Sequence, residues 1–354
     1  MTPQNLSDLG WSESRSSSFT DHAQRGLSPA RVVAEHRGQV DLLTERGRLR
    51  AWIRPTLLGD ADAPGVGDWV GVRLSDDPQM PSMVEAVLPR TSAFLRKSAG
   101  RSSAPQLIAA NIDTVLIVTS LNADLNRRRI ERYLVAARSG GAEAVVVLNK
   151  ADLVDDTEAI RALVPHEHVA VVSALRGNGL EELDPWVGPG RTVALVGMSG
   201  VGKSTLVNAL LGHDAQDTGG IREHDDRGKH TTTTRSLLAL PGGGCLVDTP
   251  GMRELGLTQG DDVLDEVYED IAELSQTCRF GDCRHDGEPG CAVQAAIDAD
   301  ELDPGRLTSY RKLQRELAGE VRRRSRQAQR EHSRRWGKMI KKAQKLRRDR
   351  TGKS

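Results

Sequence analysis

From about Arg31 to Leu88, apolar and polar positions alternate in five short runs: ARVVAEH, GQVDLLTE, RLRAWIRP, GDWVGVRL and SMVEAVLP. Alternation with a period of two predicts half-buried strands, and five of them separated by turn residues predict a small closed barrel. From about Asn111 to Leu257 the pattern changes. DTVLIVTS, AEAVVVLN, HVAVVSA, RTVALVG and CLVDTP are unbroken apolar runs, which strands adopt when helices cover both faces of a parallel sheet. Between the first two, RRIERYLVAARS sets Ile130, Leu134 and Ala137 on one helical stripe. Beyond Leu257 the chain reads as helical, then cysteine-rich, then basic. RLTSYRKLQREL aligns Leu307, Tyr310, Leu313 and Leu317 on one side of a helix, while residues 1–28 carry few apolar anchors and read as a flexible arm.

Composition sharpens this picture in two ways. With 38% apolar but only 3% aromatic residues in 354, the core must rest on Val, Leu, Ala and Ile, as in layered α/β folds. The chain has no apolar run near the roughly 18 residues needed to cross a bilayer, and its first twenty residues lack the basic start and apolar middle of an export signal. A cytoplasmic, monomeric protein is expected. The formal net charge of zero hides an asymmetry, because Arg306 to Ser354 holds 19 Lys and Arg against 4 Asp and Glu. So dense a basic block points to a polyanionic partner, the alternative being a merely soluble tail. In the barrel, RLRAWIR sends Leu49, Ala51 and Ile53 to one face and Arg48, Arg50, Trp52 and Arg54 to the other. Cations flanking one stacking ring on a five-stranded barrel suit an oligonucleotide-binding face, against the alternative of a solvated arginine face.

The chemistry concentrates in the middle. GMSGVGKST follows the strand RTVALV and opens the helix TLVNALL, the context a phosphate-binding loop requires. Gly197, Gly200 and Gly202 allow the backbone to fold tightly, so that the amides of Met198, Ser199, Val201 and Thr205 and the helix N-terminus can face an oligophosphate. Lys203 is expected to reach the β and γ phosphates and Ser204 to hold Mg²⁺. NKAD ends the strand AEAVVVL. There Asp152 can accept from guanine N1 and N2, Asn149 can support the O6/N7 edge, and Lys150, next to Ala151, can lay its stem along the base. SAL, beginning at Ser173, can offer the Ala174 N–H to O6. DTPG supplies Asp248 for Mg²⁺ and the Gly251 N–H for the γ phosphate. GKHTTTTR supplies Thr232 or Thr233 to close on Mg²⁺ in the triphosphate state. Met252 stands where a water-orienting Gln is found in Ras-like enzymes, so intrinsic turnover is expected to be slow, with His230 the candidate to position water.

These are the parts of a GTPase in the order base, base, phosphate, switch, switch: a circular permutation. The cysteine-rich segment adds Cys278, Cys283, His285 and Cys291 in a C-x4-C-x-H-x5-C spacing, four ligands suited to one structural Zn²⁺. A disulfide is the competing reading, disfavoured by the odd third cysteine. With NKAD, SAL, GMSGVGKST, HTTT and DTPG in permuted order, a preceding barrel and this cysteine pattern, nearly the whole chain resembles the circularly permuted, ribosome small-subunit-dependent GTPases of the RsgA/YjeQ family. The resemblance implies GTP hydrolysis to GDP stimulated by the 30S subunit, with that subunit and its 16S rRNA as partners and a role in late subunit maturation. The alternative is a GTP-gated RNA-binding regulator whose hydrolysis is incidental. The expected architecture is multidomain: an arm (1–28), an OB-type β-barrel (29–105), a circularly permuted P-loop GTPase α/β domain (106–257), a helical zinc-binding domain (258–320) and a basic tail (321–354).

Overall fold

The computed structural model describes residues 5–58, 63–77, 79–96, 106–121, 125–162, 164, 166–212, 236–248, 261–319 and 321–322. The chain divides into two compact units, Met1–Arg96 with Leu107–Gly256, and Lys97–Gln106 with Leu257–Ser354.

The first unit opens with helix α1 (Glu13–Gln24), capped by the Ser12 hydroxyl, which accepts from the Arg15 amide. Strands β1 (Ser28–His36), β2 (Gln39–Thr44), β3 (Gly47–Ile53), β4 (Trp69–Arg73) and β5 (Met83–Val87) follow. They pair in the ring β1–β2–β3–β5–β4, and β4 returns to β1, so the barrel is closed without an edge. Its interior is aliphatic, with Val32, Val40, Leu42, Ala51, Val70 and Val84 fully buried. The alternation read from the sequence is the inward and outward pleat of these strands.

Strands β6 (Ala93–Arg96) and β7 (Gln106–Ala110) form a separate two-stranded sheet. The α/β layer comprises β8 (Thr114–Ser120), helix α2 (Arg127–Ser139), β9 (Glu143–Asn149), helix α3 (Thr157–Arg161), β10 (Val169–Val172), β11 (Thr192–Val196), helix α4 (Lys203–Leu211), β12 (Ser236–Ala239) and β13 (Cys245–Asp248). Its sheet order is β10–β9–β8–β11–β13–β12, parallel except for β12. The consequence for function is geometric: the C-terminal ends of β9, β10, β11 and β13 share one edge, where ligands of open α/β sheets are bound.

The N-terminal segment differs from the expectation of a flexible arm. Leu6, Leu9, Phe19 and Leu27 are buried, and Trp11 packs edge-on against Trp69 of β4, ring centroids 4.9 Å apart. The Asp8 carbonyl accepts from the amides of Gly190 and Gly244, at the starts of β11 and β13. Four apolar anchors spread over some twenty polar residues were too sparse to register as a pattern, yet each one docks on a core that the rest of the chain supplies.

In the second unit, helices α5 (Asp261–Val267), α6 (Glu269–Gln276), α7 (Ala292–Asp298) and a last helix over residues 304–319 pack together. The expected stripe is buried: Leu307, Tyr310, Leu313 and Leu317 lie at 8% exposure or less. Tyr310 meets Tyr268 edge-on, and Arg306 lies over the Tyr268 ring while pairing with Asp270. No helix of the described residues is long and apolar enough to cross a membrane.

Candidate nucleotide site and metal centre

The phosphate loop leaves β11 at Gly197 and enters α4 at Gly202. Each of its glycines has its own reason. A Cβ on Gly197 would meet the Val118 carbonyl of β8 at 2.2 Å, and one on Gly202 would meet Asn149 Nδ2 at 2.3 Å, while Gly200 faces open space but holds φ at +83°. Gly202 is also the left-handed N-cap of α4, with no side chain closing the helix start. The first amides of this helix therefore remain available to an anion. Ser204 is exposed, Thr205 is half-buried, and the Lys203 ammonium folds back onto the Met198 carbonyl. Met198 and Ser199 are exposed on the loop and Val201 is buried beneath it.

Asn149, at the end of β9, is 2% exposed. Its Nδ2 donates to the Val201 carbonyl in the phosphate loop at 2.9 Å, and its Oδ1 accepts from the Ala174 amide at 3.0 Å. One side chain thus ties the phosphate loop to both base motifs. Lys150 takes the left-handed conformation, φ 66°, which turns the chain into a short 3-10 segment, Ala151–Leu153. Asp152 then accepts from the Ser173 hydroxyl at 2.5 Å, and this bond holds its carboxyl below the usual carboxylate range. An ionised Asp152 is what recognition of the guanine N1 and N2 donors requires. The Ala174 N–H, expected to face guanine O6, is taken here by Asn149.

Asp248 closes β13 at the same sheet edge, its strand in parallel register with β11. His230, Thr232, Thr233 and Gly251 lie outside the described residues, as does most of the basic tail.

In the second unit the four expected metal ligands converge. One donor atom from each of Cys278, Cys283, His285 and Cys291 lies within 4.8 Å of the others. His285 Nδ1 is 3.6 Å from Cys278 Sγ and 3.5 Å from Cys291 Sγ, and the two sulfurs are 4.0 Å apart. A tetrahedron with Zn–S bonds of about 2.3 Å has edges of roughly 3.8 Å, so the cage fits that ion. No disulfide joins these cysteines, and the convergence of all three sulfurs with His285 favours metal ligation over pairing. His285 reaches the cage by a left-handed turn, φ 60°. The amides of Ala292 and Gln294 point at Cys278 Sγ and Cys291 Sγ at 3.4 and 3.3 Å, donors that favour thiolates.

Comparison with known proteins agrees with this geometry. The family model described as RsgA GTPase matches residues 87–258. The small ribosomal subunit biogenesis GTPase RsgA of Opitutus terrae is 47% identical over 334 residues, covering 90% of this chain and 91% of that protein. That of Streptomyces coelicolor is 47% identical over 88% and 86%. The chain belongs to the RsgA family. Among solved structures, YjeQ from Thermotoga maritima aligns with a TM-score of 0.59 at 29% identity, covering 83% of this chain and 99% of that one. YloQ, a circularly permuted GTPase, shares the fold with a TM-score of 0.58 at 22% identity, over 83% and 96%.

As an RsgA protein it is a GTP hydrolase, and it carries the permuted motif order within an intact sheet. Sequence reasoning placed cations on the barrel face but not their partners. Asp41, opposite Arg50 in the β2–β3 register, accepts from Arg50 at 2.7 Å, Arg48 at 3.0 Å and His36 at 3.2 Å. Arg54 lies 3.7 Å from Glu85, and Arg90, just past β5, pairs with the fully buried Asp68 at 2.8 Å. Trp52 remains 48% exposed. The signal was present in VDLL, where Asp41 occupies an outward position of its strand.

Proposed function

We propose that this protein binds the small ribosomal subunit in its GTP form during late maturation, and that hydrolysis drives its release. The observation that carries this reading is the Asn149 strut, which fixes a guanine-reading loop against a phosphate loop so that one GTP can be held by both. The relatives named for small-subunit biogenesis, at 47% identity over most of the chain, supply the choice of particle.

Asp152 reads the base, Lys203 and the α4 amides hold the phosphates, and Ser204, Asp248 and Thr232 hold Mg²⁺. Positioning of water falls to His230 in the complex with the partner, because Met252 cannot polarise water. The zinc cluster is structural, with all four positions filled by protein. The barrel face around Trp52 and the basic tail contact rRNA, so that several modest contacts on one chain combine.

The test is GTP turnover with 30S subunits, 50S subunits and protein-free rRNA in parallel. Acceleration by 30S alone supports the proposal. Equal acceleration by free RNA, or no acceleration by any of them, contradicts it and supports instead a GTP-gated RNA-binding regulator whose hydrolysis is incidental.

A further inference from the structure

The zinc loop carries an aromatic side chain that neither catalysis nor metal binding uses. Phe280 sits between the ligands Cys278 and Cys283 and is 43% exposed, whereas Phe19 and Phe94, the other two phenylalanines of the chain, are 4% and 2% exposed. Exposing a phenyl ring forfeits the burial that places most phenylalanines inside. The ring is also held in place. The Phe280 carbonyl accepts from the Cys283 amide, and the neighbouring Arg279 amide donates to the Gly290 carbonyl at 3.0 Å. The Arg279 stem runs so close to Gly290 that a Cβ there would meet Arg279 Cβ at 2.9 Å. From that anchorage the Arg279 guanidinium lies over the Phe280 ring, 5.4 Å from its centroid. One ring face thus meets a cation, and the loop geometry set by the metal cage keeps the platform in position.

Among the described residues, the large exposed hydrophobic side chains include just two aromatics, Trp52 and Phe280, and each has arginine within two positions in sequence. An aromatic ring stacked beside guanidinium is the arrangement that receives an unpaired base, with charge for the adjoining phosphate. Of the acidic groups of the loop, the exposed Asp282 is matched in formal charge by the exposed Arg284, and the other two are engaged elsewhere. Asp286 pairs with Arg311, and Glu288 is committed to the amides of Arg284 and Asp286. From Leu257 to Gly305 the chain carries 14 Asp and Glu against 2 Arg, and the block from Arg306 onward, with 19 Lys and Arg against 4 Asp and Glu, brings residues 257–354 to a net +3.

We infer that Phe280 and Arg279 form a stacking platform for an unpaired base of single-stranded RNA. This deepens the proposed function and rests on it. The test uses the full-length protein with one zinc per chain verified for each variant. A twelve-nucleotide oligouridylate, its duplex with oligoadenylate, and purified 30S subunits are titrated against wild type, Phe280→Ala, Phe280→Leu and Phe280→Trp. Loss of one base-stacking contact predicts that Ala and Leu weaken oligouridylate binding about 10-fold, that Trp retains it, and that duplex binding is unchanged. If Leu binds like wild type, the ring is an apolar docking point of the kind a protein uses, and the platform is refuted. Equal affinity across all variants, or no oligouridylate binding by wild type, refutes it as well. Binding to 30S in the last two cases leaves the proposed function standing without the platform, and its absence removes both.

Discussion

At the scale of single residues, Asn149 braces the nucleotide site from inside the protein. Both ends of its amide are engaged inside the protein, so Asn149→Ala leaves the buried Ala174 N–H and Val201 carbonyl unpaired. An unpaired buried polar group costs about 1–3 kcal/mol, which predicts a lowered unfolding midpoint together with weakened GTP binding. Unchanged values in both measurements would show that the strut is dispensable. Asp152→Asn makes a different prediction, because it exchanges an acceptor for a donor without touching the strut. Preference should move from GTP towards xanthosine triphosphate in competition binding, and a variant that still prefers GTP would contradict the assigned role. In the barrel, burial opposes ionisation of Asp41, but Arg50, His36 and Arg48 outweigh it and hold the carboxyl well below the usual carboxylate range. A carboxyl that ionises more readily when folded contributes stability above its unfolded value, about 3.9, and loses it as pH falls towards the folded one. Denaturation midpoints should therefore decline below about pH 4, with Asp41→Asn flattening that decline. An identical acid limb in the variant would remove Asp41 as its source.

At the scale of elements, the Cys3His cluster lies at the connection between α6 and α7, since Cys278 follows one and Cys291 caps the other, so a zinc held there would fix that connection. Chelation of the metal, or Cys283→Ser, should release one zinc per chain and lower helical circular dichroism. Retained helicity in a zinc-free protein would contradict a structural role. The N-terminal segment is the element that the sequence concealed. The barrel strands, the parallel sheet, the phosphate loop and the cysteine cage were all legible, because each follows from a period or a spacing within a few residues. The packing of Phe19 and Trp11 was not, because it depends on partners such as Trp69 that lie far along the chain. Nor was the neutralisation of Arg48 and Arg50, since the register that puts Asp41 opposite them is set by strand pairing rather than by local pattern. Phe19→Ala should lower stability by about 3 kcal/mol or more, as truncation of a buried phenyl ring does, measured by denaturant unfolding.

At the scale of the whole molecule, the permuted order has a physical consequence. Opening a parallel sheet at a surface connection leaves its strand order and carboxyl edge intact, so the site is assembled from the same strand ends whichever motif comes first along the chain. What changes is the sequence neighbour of the second switch: DTPG now leads directly into the unit that carries the zinc cage. In the proposed function, guanine-nucleotide chemistry in one unit is joined to polyanion contacts in both. GTP turnover with and without purified 30S subunits across a series of salt concentrations tests that union most directly. The account predicts slow turnover alone, acceleration by the subunit, and a stimulation whose logarithm falls linearly with the logarithm of salt concentration. Turnover that is the same with and without subunits at every salt concentration would contradict it.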